Sequence, residues 1–402
     1  MRPAIVVYMP RFEPFAALRF GPSLPLGEVT APPYDVLSSA DTEALAARHQ
    51  RNIVAIDVPR PDDDPERYNR SAAVLADWCS DGTLIRDPRP SFTLYRMAFT
   101  TEAGTRRETV GVLGALEVVD LGAGGVLPHE RTTPKATTDR LDLTRAAEAN
   151  LSPVWGLSLT AGLTEVLAAP GEPMGSFVDD NGVTHTVERV DEPSRVAEIA
   201  AAVSSNPVLI ADGHHRYAIS RTYRDERRAT DGAGPWDLTL TYVGELVESQ
   251  LSIDAIHRLY RGVSIDALTA ILAESFEMAP AGPIDATFAQ QVVARGALCL
   301  VHDDGTGTWL TPRPEMFAGI RSLDGALLEH ALRDAAVDVS YQHGVQNVVD
   351  LVAGGAVDAG ILIRPTGIDE IRRTADEGLL MPPKSTFFTP KLRTGLVMRP
   401  LD

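Results

Sequence analysis

Hydrophobic residues along this chain fall in short runs separated by polar and glycine-rich stretches, and most runs read as either strand or helix. Val208-Leu209-Ile210-Ala211 is apolar and rich in β-branched residues, the pattern of a buried strand. Asp212-Gly213 follows as a tight turn, and Tyr217 to Tyr223 continues with a helical pattern. Upstream, Ser38-Ser39-Ala40-Asp41 is a plausible cap for a helix over Thr42–His49, and Asp64 or Pro65 starts a longer helix through Trp78 to Gly82. Ser91–Thr100 and Thr109–Val119 predict two strands joined by the polar turn at Glu102 to Thr105. A glycine-rich stretch, Gly122 to Gly125, leads into Pro128-His129-Glu130-Arg131-Thr132-Thr133 and a charged helical segment, Thr138–Ala149. An Ala-rich helix is predicted near 193–203 and a strand over Leu238–Val247. Beyond it come helices at 266–276 and 286–294, flanking an interruption at Pro280–Pro283, then strands at Gly296–His302 and Ala359–Arg364 and a helix at Ile368–Glu377. The pattern predicts a mixed α/β fold, with a boundary near Gly262 separating a motif-bearing region, 1–262, from a smaller C-terminal α/β region, 263–402.

Composition narrows the classes. The 402 residues, 44% hydrophobic, are enough to bury two cores. A net charge of −18 argues against DNA as a partner, because coating phosphates needs clustered cations. No apolar segment approaches the roughly 18 residues of a membrane span, and the N-terminal apolar run is too short for a signal peptide, so a cytoplasmic protein without a membrane partner is expected. Cys79 and Cys299 are far apart and imply neither a disulfide framework nor a cysteine zinc site.

The chemistry is densest at Asp212-Gly213-His214-His215-Arg216. A turn that opens a helix places these groups where backbone N–H groups and the positive dipole end favour an anion, which reads as a phosphate site. Asp212 as a simple N-cap needs no substrate. Beside a phosphate, its charge instead calls for Mg²⁺ or a reacting hydroxyl between them. Gly213 permits positive φ or close approach of a ligand. His214 and His215 point about 100° apart on a helix, so one of them reaches a ligand. Arg216 either clamps phosphate or pairs with a nearby carboxylate.

In the second cluster, Glu130 is a candidate acid or base, Lys135 or Arg131 a phosphate cation, and His129 a titratable neighbour; a solvated loop is the plain alternative. His129, Glu130, His214 and His215 lack the spacing that puts two metal ligands on one helix face. The third cluster, Met381-Pro382-Pro383-Lys384-Ser385-Thr386, misses the P-loop pattern because Pro383 supplies no N–H to a phosphate. Lys384 and Lys391 remain able to line a pocket.

Pro14-Phe15-Ala16-Ala17-Leu18-Arg19, Ala31-Pro32-Pro33-Tyr34-Asp35-Val36, Pro128-His129-Glu130-Arg131-Thr132, Asn150-Leu151-Ser152-Pro153, Ala211 to Tyr217 and Met381 to Thr386 together resemble the domain of unknown function 1015 family, over nearly the whole chain. More remotely, Asp212 to Arg216 looks like the signature of the ParB/sulfiredoxin fold superfamily, which includes free serine kinases, sulfiredoxin and CTP-binding ParB proteins. That resemblance implies a ParB/sulfiredoxin-like core with a mixed sheet. It also implies nucleotide-phosphate contacts at Gly213, His214, His215 and Arg216, with Asp212 near the hydroxyl or metal. The upstream glutamate of such kinases has candidates in Glu28, Asp35 and Glu130, with Glu130 preferred because it sits among cations. No cysteine stands beside the phosphate site, which disfavours sulfiredoxin chemistry.

The expected activity is a phosphotransferase moving a nucleotide phosphoryl group to a small hydroxyl compound, serine being the first to test. The nucleotide is ATP or ADP, or alternatively CTP, with Mg²⁺. Asp212 or Glu130 would take the hydroxyl proton, while Gly213 to Arg216, Arg19, Lys135 and Lys384 neutralise phosphates. The alternative is a nucleotide-binding regulatory module with slow or no hydrolysis.

Overall fold

The computed structural model describes residues 8–61, 63–101, 104–120, 122–130, 137–285 and 287–402, with Thr137 and Thr138 by their backbone alone. The fold is mixed α/β and divides into two compact units. One contains the chain through Thr101, Arg106–Leu251 and Pro390–Asp402; the other is built mainly from Ser252–Thr389. The chain passes between them at Leu251 and Ser252, eleven residues before the boundary expected near Gly262, and returns to the first at Pro390.

The first unit is organised on a nine-stranded sheet. Its strands are β1 (Phe12–Glu13), β2 (Phe92–Thr100), β3 (Arg106–Glu117), β4 (Val126–Pro128), β5 (Val154–Ser158), β6 (Glu172–Val178), β7 (Thr184–Val190), β8 (Val208–Asp212) and β9 (Leu238–Glu245). Their order across the sheet is β4-β8-β5-β9-β3-β2-β7-β6, with β1 paired to β3. β2 and β3 form the antiparallel hairpin that the alternating pattern predicts, in register from Thr93↔Leu113 to Thr100↔Arg106. Two neighbouring pairs are parallel, β4 with β8 and β5 with β9.

β8 is an apolar run because its residues are covered on both faces: Val208, Leu209, Ile210 and Ala211 are all buried. Val208, Ile210 and Tyr217 belong to a core that includes Phe12, Phe92 and Val112 from other strands. After β8, Gly213 adopts φ 84° and opens an 18-residue helix, α1 (His214–Asp231). Tyr217 anchors its first turn: the phenol accepts from the Val119 N–H at 2.9 Å and donates to the Val119 carbonyl at 3.1 Å. Further along, Ile219 and Tyr223 pack with Leu141, Trp236 and Leu401. The predicted cap at Ser38 is a full capping box, with the Ser38 hydroxyl accepting from Asp41 N and the Asp41 carboxylate accepting from Ser38 N.

Residues 390–402 close the first unit. Thr394 pairs with Ala31, Met398 with Leu18, and Arg399-Pro400 with Ala149-Asn150.

A six-stranded sheet forms the second unit. Its edge strand is Phe276–Pro283, the segment whose prolines and glycine read as an interruption between helices. At an edge, a proline that cannot donate breaks no ladder on its open side, and the register shift between Pro280 and Gly282 absorbs the irregularity. The flanking helices run over Ile265–Ser275 and Phe288–Arg295. No helix among the described residues is long and apolar enough to cross a membrane.

Candidate functional site

β4 and β8 are parallel neighbours, paired through Val126↔Val208, Leu127↔Leu209 and Ile210↔Pro128. Their carboxyl ends therefore emerge side by side, the place where open α/β sheets present ligand-binding loops. His129-Glu130 leaves one end, and Asp212-Gly213-His214 leaves the other. The two clusters separated by some 80 positions in the chain thus meet: the His129 and His214 rings are 5.0 Å apart, and His214 Nδ1 lies 3.9 Å from Glu130 Oε1.

His129 is completely buried. Its Nδ1 contacts the Ile210 carbonyl at 2.5 Å, and because a carbonyl only accepts, Nδ1 carries the proton. Burial lowers its pKa to about 4 despite that bond and the nearby Asp212. At neutral pH it is an uncharged imidazole.

The helix start differs from a capped one. Gly213 has no side chain to offer the first-turn N–H groups, and its left-handed backbone is the conformation glycine tolerates. Asp212 is engaged elsewhere. Arg216 Nη2 donates to Asp212 Oδ2 at 2.9 Å, and Lys391 Nζ lies 3.4 Å from Oδ1. Arg216 also donates through Nη1 to the Pro153 carbonyl and sits 3.9 Å from Asp35 Oδ2. Burial works against its charge, but Asp212 and then Asp35 outweigh it and raise its pKa. The expectation of Arg216 as a clamp open to a ligand is thus joined by its other reading, a partner for a nearby carboxylate. His215 occupies the second helical position and is half-buried.

Behind Arg216 lies a cleft of about 50 Å³ between the first turns of α1 and the segment Arg140–Ser152. Tyr34 and Asp57 also line it. Asp57 is buried, accepts from Ser152 Oγ at 3.3 Å and pairs with Arg140 at 3.4 Å. Burial pushes its carboxyl above the usual range, against Arg140 and Arg216. The Arg140 guanidinium stands 4.0 Å from the centre of the Tyr34 ring, and burial raises the Tyr34 phenol to about 12. Tyr34, Asp35 and Ser152 fall in segments that carry the family resemblance. Asp57 carries no local signal, and nothing in its own stretch of sequence marks it.

The remaining sequence candidates are Arg19, Glu28, Lys384, Lys135 and Arg131. Arg19 is buried in its own network, donating to Asp87 at 2.8 Å and Thr93 at 2.6 Å, so its charge is spent on a structural ion pair rather than offered to a phosphate. Glu28 is exposed on the short helix Leu26–Val29. Lys384 belongs to the second unit, is exposed, and takes a left-handed backbone with φ 57° while its carbonyl accepts from Arg258 at 3.1 Å. Lys135 and Arg131 lie outside the described residues. Among the described residues no three His, Cys, Asp or Glu side chains group to hold a metal ion. Mg²⁺, which keeps its waters and is satisfied by one or two carboxylates plus phosphate oxygens, fits Asp212 only as an ion carried in by a nucleotide.

A family model described as "Protein of unknown function (DUF1015)" matches residues 12–326. No curated protein matches the chain. Solved structures similar to it include a free serine kinase in complex with AMP, at 14% identity and a TM-score of 0.37, covering 67% of this chain and 88% of that one. SbnI with a C-terminal truncation, from Staphylococcus aureus, is 15% identical with a TM-score of 0.41, covering 72% of this chain and 87% of that one. A conserved hypothetical protein from Pyrococcus furiosus is 13% identical with a TM-score of 0.36, covering 66% and 87%.

Proposed function

The chain belongs to the DUF1015 family of proteins of unknown function, and we propose that this member is a phosphotransferase moving a nucleotide phosphoryl group to a small hydroxyl compound. One observation carries the reading: at the carboxyl ends of the parallel pair β4 and β8, a glycine-led helix start is surrounded by both kinds of group that such transfer needs. Cations and backbone N–H groups at Gly213 to Arg216 and Lys391 suit phosphate oxygens. Carboxylates at Glu130, Asp35 and Asp212 suit the acceptor hydroxyl.

In this reading Glu130, beside His214, takes the hydroxyl proton, and neutral His129 supports that end of the site without adding charge. Asp35 is the second candidate base, because the structure brings it to Arg216. Asp212 orients toward the metal or hydroxyl. Mg²⁺, bound with the nucleotide, would supply charge neutralisation between the phosphates. Lys135 stands as a further phosphate cation to be tested by substitution.

The decisive assay supplies Mg²⁺, labelled ATP, ADP or CTP, and a panel of small alcohols including serine, and looks for a phosphorylated acceptor. The reading requires transfer to at least one acceptor, lost in Glu130→Gln. Absence of nucleotide binding would defeat it. A regulatory nucleotide-binding module is favoured by one feature, the two cations already on Asp212, which weaken it as a base; nucleotide binding with no transfer to any acceptor would select that reading.

A further inference from the structure

The cleft behind Arg216 holds an acid and a base whose bonding capacity is only partly used. Asp57, 3% exposed, lines it together with Tyr34, Arg140, Asn150 and Ser152. Its Oδ1 accepts from the Ser152 hydroxyl at 3.3 Å and from Arg140 Nη1 at 3.4 Å, both long for bonds of their kind. Its Oδ2 accepts no hydrogen bond from the described residues. A buried carboxylate so thinly held costs free energy until a further donor reaches it. Arg140 is the complement. Its guanidinium is seated on the Tyr34 ring, with Nε donating to Asp139 at 3.0 Å and Nη1 to the Asp57 carboxylate and main-chain carbonyl. Its Nη2 donates to none of the described residues. Asn150 adds a third group: Oδ1 accepts from Leu240 N at 3.0 Å, which fixes the amide and leaves Nδ2 to donate.

The Asp57–Arg140 pair is neutral as it stands. A ligand of single charge would leave one charge uncompensated in a buried place, whereas a zwitterion brings one partner for each. Because the two side chains meet at 3.4 Å, the ammonium and carboxylate of that ligand must be carried close together, as on one carbon. Size narrows the class further, since a cleft of about 50 Å³ has room for roughly three to five waters. We infer that this cleft binds a small α-amino acid, its ammonium on Asp57 Oδ2 and its carboxylate on Arg140 Nη2 and Asn150 Nδ2. Binding is a property of the cleft alone. That the amino acid is the acceptor, with its hydroxyl turned toward Arg216 and the helix start, rests on the phosphotransferase reading above.

The test is calorimetric titration of L-serine, glycerate, ethanolamine and L-leucine, each alone and with ADP present, in a chelator. L-serine is expected to bind. Glycerate, which lacks the ammonium, and ethanolamine, which lacks the carboxylate, are expected to bind at least about tenfold more weakly, the weight of one charged hydrogen bond. L-leucine, too large for the cleft, is expected not to bind. Asp57→Asn keeps the main-chain carbonyl and Asp139 as partners for Arg140, and is expected to weaken L-serine by at least about tenfold. If L-serine does not bind in either condition, or if glycerate or ethanolamine binds as well as L-serine, the inference is wrong. Unchanged L-serine affinity in Asp57→Asn also overturns it. Should that variant fail to fold, the ligand series on the unsubstituted chain decides. L-serine that binds but is not phosphorylated with Mg²⁺ and ATP, ADP or CTP upholds the cleft and sinks the acceptor role; absence of ADP binding defeats the phosphotransferase reading and leaves the amino-acid titration without nucleotide to stand by itself.

Discussion

The guanidinium of Arg216 lies over Gly213: a Cβ built on that glycine would stand 3.0 Å from Arg216 Nε and 3.1 Å from Cζ. Backbone and side chain thus demand the same residue, since φ is also 84°. Gly213→Ala is expected to cost about 1–2 kcal/mol from the left-handed backbone alone. Displacement of Arg216 adds to that. Urea denaturation checks the first effect, and the structure of the variant checks the second. A stability equal to that of the unsubstituted chain would contradict the strain.

Arg216→Met removes the inner cation from Asp212 and the donor to Pro153. Breaking a buried pair costs roughly 3–5 kcal/mol, and because Lys391 still faces Asp212 the expected loss lies at about the lower end. Arg216→Lys keeps the charge but loses the fork, so it should recover only part of the stability. Full recovery by lysine would show that charge alone matters here.

A pH dependence follows from His129. Its folded pKa is depressed to about 4 from the ordinary 6.5, so between those values the unfolded chain binds the extra proton. The stability it contributes is present above pH 6.5, falls as pH drops through that window, and is gone below about 4. The size is on the order of 3 kcal/mol. His129→Gln should flatten that part of the stability profile, measured by denaturation at a series of pH values. His257 in the second unit, lowered to about 3, acts in the same direction and leaves a residual slope.

Glu130→Gln is nearly isosteric and removes the base without emptying its place. Phosphoryl transfer is expected to fall by about 10²–10⁴-fold, the usual weight of a general base, with ADP affinity nearly unchanged. Single-turnover transfer and equilibrium binding separate the two. If Glu130→Gln transfers normally while Asp35→Asn does not, the base is Asp35.

The strand, turn and helix around Asp212 were legible because their signals are local: a β-branched run, then glycine, then a helical pattern. So were the capping box at Ser38 and the hairpin of β2 and β3. The convergence of His129-Glu130 with His214 was expected only through the family resemblance, since it depends on β4 and β8 lying side by side, and strand order leaves no mark in either segment. Asp57 was invisible for a related reason: its burial against Arg140 and Ser152 is created by residues some ninety positions away. Arg19 shows the converse error. A conspicuous cation in a family motif reads as ligand-binding until its buried partner, Asp87, is seen. At Phe276–Pro283, prolines that signal a break along the chain are accommodated by an edge position that only the sheet reveals.

The pairing of Thr394 with Ala31 and of Arg399-Pro400 with Ala149-Asn150 has a consequence for synthesis on the ribosome. The second unit is almost contiguous in the chain, and its last residues are made before Pro390. It can therefore complete its contacts while the first unit, begun earlier, still waits for the segment that supplies Lys391. During synthesis the contact of Lys391 with Asp212 therefore cannot form until the chain has been made past Pro390.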